Sequence, residues 1–66
     1  MSVARITEIS ASSSKSFEKA MKNGLKRAAE TLQNITGAWV ESQKVTVKNG
    51  EIDQFRVIMK VTFILK

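Results

Sequence analysis

The final segment of the sequence alternates two kinds of position over a long run, and this alternation limits what the chain can fold into. One set of positions is apolar throughout: Phe55, Val57, Met59, Val61, Phe63 and Leu65. The positions between them are Arg56, Ile58, Lys60, Thr62 and Ile64. A period of two predicts a β-strand, with the first set facing a core. Two isoleucines stand on the other face, so that face is not simply solvent-exposed.

A hairpin is predicted just before this strand. The tetrapeptide KNGE at residues 48–51 contains Asn-Gly, the dipeptide most typical of a two-residue hairpin loop. The period is also two upstream of it, and alternate positions are predicted to share one strand face: Trp39, Glu41, Gln43, Val45 and Val47. We expect hairpin strands of about ten and about fourteen residues, against a usual five or six. A weaker strand pattern, VARITEI, lies near the N-terminus.

The segment between the first strand and the hairpin predicts one helix, from about residue 13 to residue 34. Its apolar positions recur at helical spacing: Phe17, Ala20, Met21, Gly24, Leu25, Ala28, Leu32 and Ile35. Ser12, Ser13 and Ser14 are candidate N-caps, because serine hydroxyls accept hydrogen bonds from free backbone N–H groups. Gly24 lies on the apolar stripe, where a missing side chain permits close helix–sheet approach at a cost of about 1 kcal/mol relative to Ala.

These elements predict an α+β fold in the order β-α-β-β: a three-stranded antiparallel sheet with one helix packed on it, forming a single domain over residues 1–66. A fourteen-residue strand spans about 46 Å, whereas a 22-residue helix spans about 33 Å. One helix therefore cannot cover the sheet. Together with the outward Ile58 and Ile64, this predicts contacts between subunits.

The sequence lacks the residues on which most catalytic and metal sites depend. It contains no Cys and no His, and its six acidic residues are scattered. We therefore predict that the protein is not an enzyme and holds no metal. The N-terminus lacks the pattern of a signal peptide, and no apolar run approaches membrane-spanning length. These features predict a cytoplasmic protein without a membrane partner.

The net charge of +5 favours anionic partners, although many small basic domains have none. A lysine stripe lies opposite the apolar side of the helix: Lys15, Lys19, Lys22 and Lys26. It could contact phosphates, or it could be the solvated face of the helix, with Lys26 spaced to pair with Glu30. Readers of single-stranded nucleic acid need several exposed aromatic side chains. Nucleic acid is therefore the less favoured partner.

Trp39 is the only tryptophan, and three interpretations of it remain open. It could be a core residue, an anchor at a subunit interface, or a platform on which a flat ligand stacks. Its polar strand neighbours Glu41 and Gln43 argue against a fully buried core position. An interface and a ligand platform are compatible if the ligand lies between subunits.

The sequence resembles the dodecin family of very small flavin-binding proteins. The resemblance covers nearly the whole chain and is carried by the order, spacing and length of several segments: TEISASSSKSFEKAMKNGLKRA, TLQNI, VESQKV, NGEI and FRVIMKVTFIL. It implies the β-α-β-β fold, a hollow homododecamer, and flavins stacked in pairs at tryptophan-lined two-fold contacts. The implied role is storage and protection of flavin.

Two positions depart from the flavin-binding pattern of that family. Gly37 stands where the family's stacking tryptophan usually stands, and Trp39 follows two residues later, about 6.6 Å along a strand. Arg56 aligns with the family's glutamine that hydrogen-bonds the flavin ring edge, and arginine can donate there but cannot accept. Arg56 could also lie over Trp39 as a cation–π partner.

The prediction from sequence is a homododecamer that binds riboflavin or FMN noncovalently, with Trp39 stacking on the ring and Arg56 contacting its polar edge or a phosphate. Gln43 and Glu41 are further candidates. The first alternative is a structural assembly of the same fold that has lost flavin binding or binds another ligand. The second is a basic module that binds nucleic acid through Lys19, Lys22 and Lys26.

Overall fold

The structure, a computed structural model, describes residues 3–65; residues 1, 2 and 66 of the predicted domain lie outside the described residues. Four elements follow one another in the predicted order: β1 (Val3–Ser13), α1 (Phe17–Ala29), β2 (Ile35–Lys48) and β3 (Glu51–Leu65). The three strands form one antiparallel sheet in the order β1-β3-β2. The predicted fold class is confirmed, and the strand with the long alternation occupies the centre of the sheet.

The core lies between α1 and the central strand. Val57, Met59 and Val61 of β3 are completely buried, as is Ala20 of the helix. Apolar side chains from β1, α1 and β2 pack against this cluster: Ile9, Ala11, Phe17, Met21, Leu25 and Val40. At one end, the rings of Phe17 and Phe55 meet edge to face, with centroids 5.1 Å apart. The prediction that the alternate apolar residues of β3 face the core is confirmed in the middle of that strand, at Val57, Met59 and Val61.

The helix is shorter than predicted at both ends. Ser12 and Ser13 belong to β1, and the N-cap is Ser16, whose hydroxyl accepts from the Lys19 N–H at 3.0 Å. The predicted caps Ser12, Ser13 and Ser14 were wrong, because β1 continues pairing with β3 as far as Ser13. Past Ala29 the chain turns, and Asn34 takes a left-handed conformation with φ 63° just before β2. Leu32 and Ile35 therefore lie outside the helix.

Replacing the cap should destabilise the domain without changing its fold. We expect Ser16→Ala to lower the free energy of unfolding by about 1 kcal/mol, because the Lys19 N–H loses its acceptor. Urea denaturation at one fixed protomer concentration measures the effect. Ser14→Ala is the matched control, since Ser14 is exposed and lies outside the helix. Equal losses in the two variants would contradict this assignment of the cap.

The Asn-Gly hairpin forms as predicted, with both turn residues left-handed: Asn49 at φ 54° and Gly50 at φ 77°. The strands it joins have 14 and 15 residues, so the first is longer than predicted. The 13-residue helix spans only about 20 Å, whereas the domain is 52 Å long. The end of the hairpin runs beyond β1, and Val47 and Ile52 are exposed there.

Three irregularities in the pairing of β2 with β3 change which side chains share a face. The pairing with β3 shifts between Ile35 and Gly37, between Val40 and Ser42, and between Thr46 and Val47. In such a bulge one strand has an extra residue, so the alternation of faces changes phase. The prediction that Trp39, Gln43 and Val45 share one face was wrong because the shift between Val40 and Ser42 lies between Trp39 and the other two residues.

Among the helices of the described segment, none has the length and apolar character needed to cross a membrane.

Candidate functional site

The sheet face opposite α1, here called the outer face, carries the candidate site. Residues paired directly across an antiparallel ladder point to the same side. The register therefore defines four neighbouring rows across β1, β3 and β2. In order they are Ile6–Thr62–Gly37, Glu8–Lys60–Trp39, Ser10–Ile58–Ser42 and Ser12–Arg56–Lys44. No element of the described chain covers this face, which leaves it available to a ligand or a second copy.

Trp39 lies on the outer face, opposite Lys60, with 47% of its surface exposed. Its neighbour Val40 pairs with the buried Met59 and packs against the core cluster. The interpretation of Trp39 as a core residue was therefore wrong. An interface anchor and a stacking platform both remain compatible with its position.

Glu41 lies at the bulge beside Trp39, between Val40 and Ser42. One of its carboxylate oxygens is 3.5 Å from the ammonium of Lys60. Lys60 is the residue directly across from Trp39, so a charged pair borders the indole ring. Such a partly exposed pair contributes modestly to stability, but it places a donor group next to the aromatic surface. Lys60 was not among the predicted site residues, because only the register reveals that it faces Trp39.

Arg56 shares the outer face with Trp39 but not its row. Arg56 pairs with Lys44, and Trp39 pairs with Lys60, so the two rows lie four positions apart along β3. At strand spacing this separation is about 13 Å. Within one chain, Arg56 therefore does not stack on Trp39 as a cation–π partner, which corrects that expectation.

Gln43 is placed on the other face. It pairs with the buried Val57, so it points to the side on which α1 packs. The bulge at Glu41 is the physical reason, since it removes the even spacing that would keep Gln43 on the face of Trp39. The structure thus brings Trp39 and Glu41 together and separates both from Gln43.

One lysine of the helix stripe, Lys22, forms an ion pair within α1. Lys22 lies 3.4 Å from Glu18, and Glu30 pairs with Arg27 rather than with Lys26 as predicted. All four of these side chains are mostly exposed, so the pairs belong to the solvated surface of the helix.

A separate groove of about 470 Å³ lies between α1 and the free edge of β1. Thr7, Ile9, Arg27 and Leu32 contribute to its walls. None of the predicted site residues lies there. In the described residues, 3–65, no three acidic side chains come close enough together to hold a metal ion.

The sequence matches the Dodecin family model over residues 3–66, and the chain belongs to this family. Three solved structures illustrate the similarity. A dodecin from Streptomyces davaonensis is 32% identical, with a TM-score of 0.95, and the match covers 98% of this chain and 96% of that one. A dodecin from Streptomyces coelicolor is 25% identical, also with a TM-score of 0.95, and the match covers 98% and 93%.

The third structure is from Mycobacterium tuberculosis and is described as a calcium-chelating immunodominant antigen, calcium dodecin, with a novel calcium-binding site. It is 28% identical, with a TM-score of 0.84, and the match covers 97% of this chain and 91% of that one. No curated protein matches the sequence.

Proposed function

We propose that this protein binds a flavin, riboflavin or FMN, noncovalently at contacts between the subunits of a homododecamer. Its role is to store or sequester the flavin rather than to transform it. The observation that carries the proposal is Trp39, a large aromatic side chain half exposed on an uncovered sheet face. It belongs to a chain of the dodecin family, which is known for flavin binding and for dodecamers.

The chemistry of Trp39 suits a flat, partly polar ring. The indole presents a broad π-face, and aromatic rings stack with a favourable offset when both surfaces leave water. The isoalloxazine ring of a flavin is such a surface. The neighbouring Lys60 ammonium has donors beyond the one directed at Glu41, and these can reach carbonyl oxygens at the edge of a stacked ring.

The positions of the other candidate residues favour a site built from two copies. Trp39 and Arg56 of the same chain lie two rows apart, about 13 Å along the strands, and Gln43 lies on the opposite face. A second copy of the chain can bring either residue to the ring. Arg56 of the same chain can instead contact a phosphate at the end of the flavin side chain.

The exposed end of the hairpin supports self-association. An isolated two-stranded hairpin is marginally stable in water, and large apolar side chains on a surface favour contact with another protein surface. Val47 is 65% exposed and Ile52 is 55% exposed, both beyond the end of β1. Neighbouring copies in an assembly would cover them. The sequence has neither Cys nor His, which agrees with storage rather than catalysis.

A flavin titration of the purified assembly tests this function. We expect the fluorescence of riboflavin or FMN to be quenched saturably, because the ring stacks on an electron-rich indole. Analytical ultracentrifugation of the same sample should give the mass of twelve chains. A monomeric mass at micromolar concentration would contradict the assembly, and unquenched flavin in an intact dodecamer would contradict the ligand.

The second candidate function is a structural assembly that has lost its flavin site. One sequence feature favours it: Gly37 stands where the resemblance to the family places the stacking tryptophan, so no aromatic ring lies at that position. The Lys60–Glu41 pair would then fill the surface beside Trp39, and the indole would only hold subunits together. The titration separates the two functions, because this assembly keeps its mass but does not quench flavin.

A further inference from the structure

The side of α1 that points away from the sheet is basic. Lys19, Lys22 and Lys26 follow one another at helical spacings of three and four residues, so they form one row along the helix, here called the basic ridge. All three side chains are exposed, and the buried residues of α1 lie on the other side of the helix. The basic ridge is therefore used neither by the core nor by the site on the outer face.

Acidic side chains neutralise the basic ridge only in part. Residues 15–30 contain five basic and two acidic side chains, so this short stretch supplies three of the five net positive charges of the chain. Within residues 3–65, Lys22 pairs with Glu18 at 3.4 Å, and no ion pair involves Lys19 or Lys26. An assembly of many copies would repeat this excess of positive charge, which attracts polyanions.

We propose that the basic ridge binds the phosphate backbone of duplex nucleic acid without regard to base sequence. Lys19 and Lys26 lie about 10 Å apart along the helix axis, and one strand of a duplex carries about three phosphates over that length. The three lysines of the ridge thus match the charge that a duplex presents to them. Contacts to phosphates alone carry no sequence information. This inference does not depend on flavin binding.

The surroundings of the basic ridge favour a duplex over other polyanions. Single strands bind by stacking their bases on aromatic side chains, but Phe17 packs edge to face on Phe55, and Trp39 lies on the outer face. A helix that binds membranes inserts apolar side chains into the lipid, whereas the apolar side of α1 packs on the sheet. The remaining attraction is between lysine charges and phosphates, and it is strongest where phosphates are dense.

Fluorescence anisotropy of a short labelled DNA duplex tests the binding. We expect the wild-type assembly to bind at about 50 mM salt and to lose at least about fortyfold in affinity at about 200 mM, because each neutralised phosphate adds about 0.9 to the salt slope and a ridge neutralises three. Two duplexes of unrelated sequence should bind equally. Absence of binding at the lower salt concentration would overturn the proposal, and so would affinities that differ by about tenfold or more between the two sequences.

Two triple variants separate the basic ridge from net charge. Lys19→Gln, Lys22→Gln and Lys26→Gln together should weaken duplex binding by about tenfold or more and flatten its salt dependence. The control removes three charges from exposed strand residues and should lose far less affinity: Arg5→Gln, Lys44→Gln and Lys48→Gln. Glutamine has nearly the helix propensity of lysine, so circular dichroism should show both variants folded. Equal losses in the two variants would overturn the proposal, because net charge alone would then explain the binding.

Two further probes test the choice of partner. A single-stranded DNA of the same length should bind more weakly than the duplex, because its charge density is lower and the ridge offers no ring for stacking. Vesicles of phosphatidylserine and phosphatidylcholine, compared at equal accessible phosphate concentration, should also bind more weakly. Tighter binding of the single strand or of the vesicles than of the duplex would overturn the assignment.

Discussion

Gly24→Val should unfold at a far lower denaturant concentration than the wild type. Gly24 is buried where α1 crosses the sheet, and a Cβ added there would lie 2.8 Å from Cε of Met59 and 2.9 Å from Cβ of Ala11. Valine adds two more methyl groups at the same point. Overpacking of a core usually costs about 1–3 kcal/mol, and we expect valine to cost more than about 3 kcal/mol. A domain of this length has only roughly 3–10 kcal/mol of stability in total.

Alanine at the same position tests whether close packing or helix propensity has the larger effect on the stability of the domain. In an exposed helix, replacing glycine with alanine stabilises by about 1 kcal/mol. Here we expect Gly24→Ala to destabilise instead, because the Ala11 Cβ is fixed to a strand and cannot move aside without moving β1. The exposed Asn23→Ala change next to it should be neutral or slightly stabilising. Urea denaturation followed by circular dichroism, at one protomer concentration, measures all three variants.

A double-mutant cycle identifies the contact responsible. Ala11→Gly removes the Cβ that the added group would meet, so part of the loss in Gly24→Ala should be recovered in the double variant. A Gly24→Ala chain that is more stable than the wild type would show that the helix does not approach the sheet as closely as the structure has it.

Trp39→Ala should greatly weaken the binding of flavin and the quenching of its fluorescence. The indole supplies the stacking surface of the proposed site, and stacking of a flat base on an aromatic side chain contributes about 1–3 kcal/mol. The affinity should therefore fall by about tenfold to about a hundredfold. Titration with riboflavin and with FMN measures the loss. Trp39→Phe keeps a smaller flat ring and should retain an intermediate affinity.

The mass of each variant assembly is the necessary control, because Trp39 can also contact a neighbouring subunit. If Trp39→Ala still forms the wild-type assembly and binds flavin as tightly as before, then the tryptophan does not stack on the ligand. If the alanine variant dissociates, Trp39→Phe in an intact assembly distinguishes stacking on the flavin from packing between subunits. Only a stacking role makes the flavin affinity depend on the size of the aromatic ring.

The elements themselves could be predicted from local sequence because their signals are local. The alternation in 55–65 predicts the central strand, and its buried positions Val57, Met59 and Val61 are those the pattern indicates. Asn49 and Gly50 tolerate the left-handed conformations that a tight hairpin loop needs, so the turn is also encoded in two residues. Gly24 could be assigned to the helix–sheet contact because its neighbours keep a constant helical phase.

The ends of the helix could not be predicted in the same way. Five serines compete for the cap on equal local terms, as each hydroxyl can accept from a backbone N–H: Ser10, Ser12, Ser13, Ser14 and Ser16. The pairing of Ser13 with Phe55 excludes the serines up to Ser13 as helix caps, because it keeps the chain extended as far as Ser13. This contact joins residues far apart in the sequence, so no local pattern reports it.

The sequence by itself determined the order of elements, the hairpin turn, the core face of β3 and the presence of one distinctive aromatic residue. The tertiary structure decided which side chains meet on a face. The bulge beside Glu41 separates Gln43 from Trp39, and the register of β2 on β3 places Lys60 beside Trp39 and Lys44 beside Arg56. The physical reason is that a single extra residue in one strand reverses the direction of every following side chain, and only pairing with the neighbouring strand fixes where that residue lies.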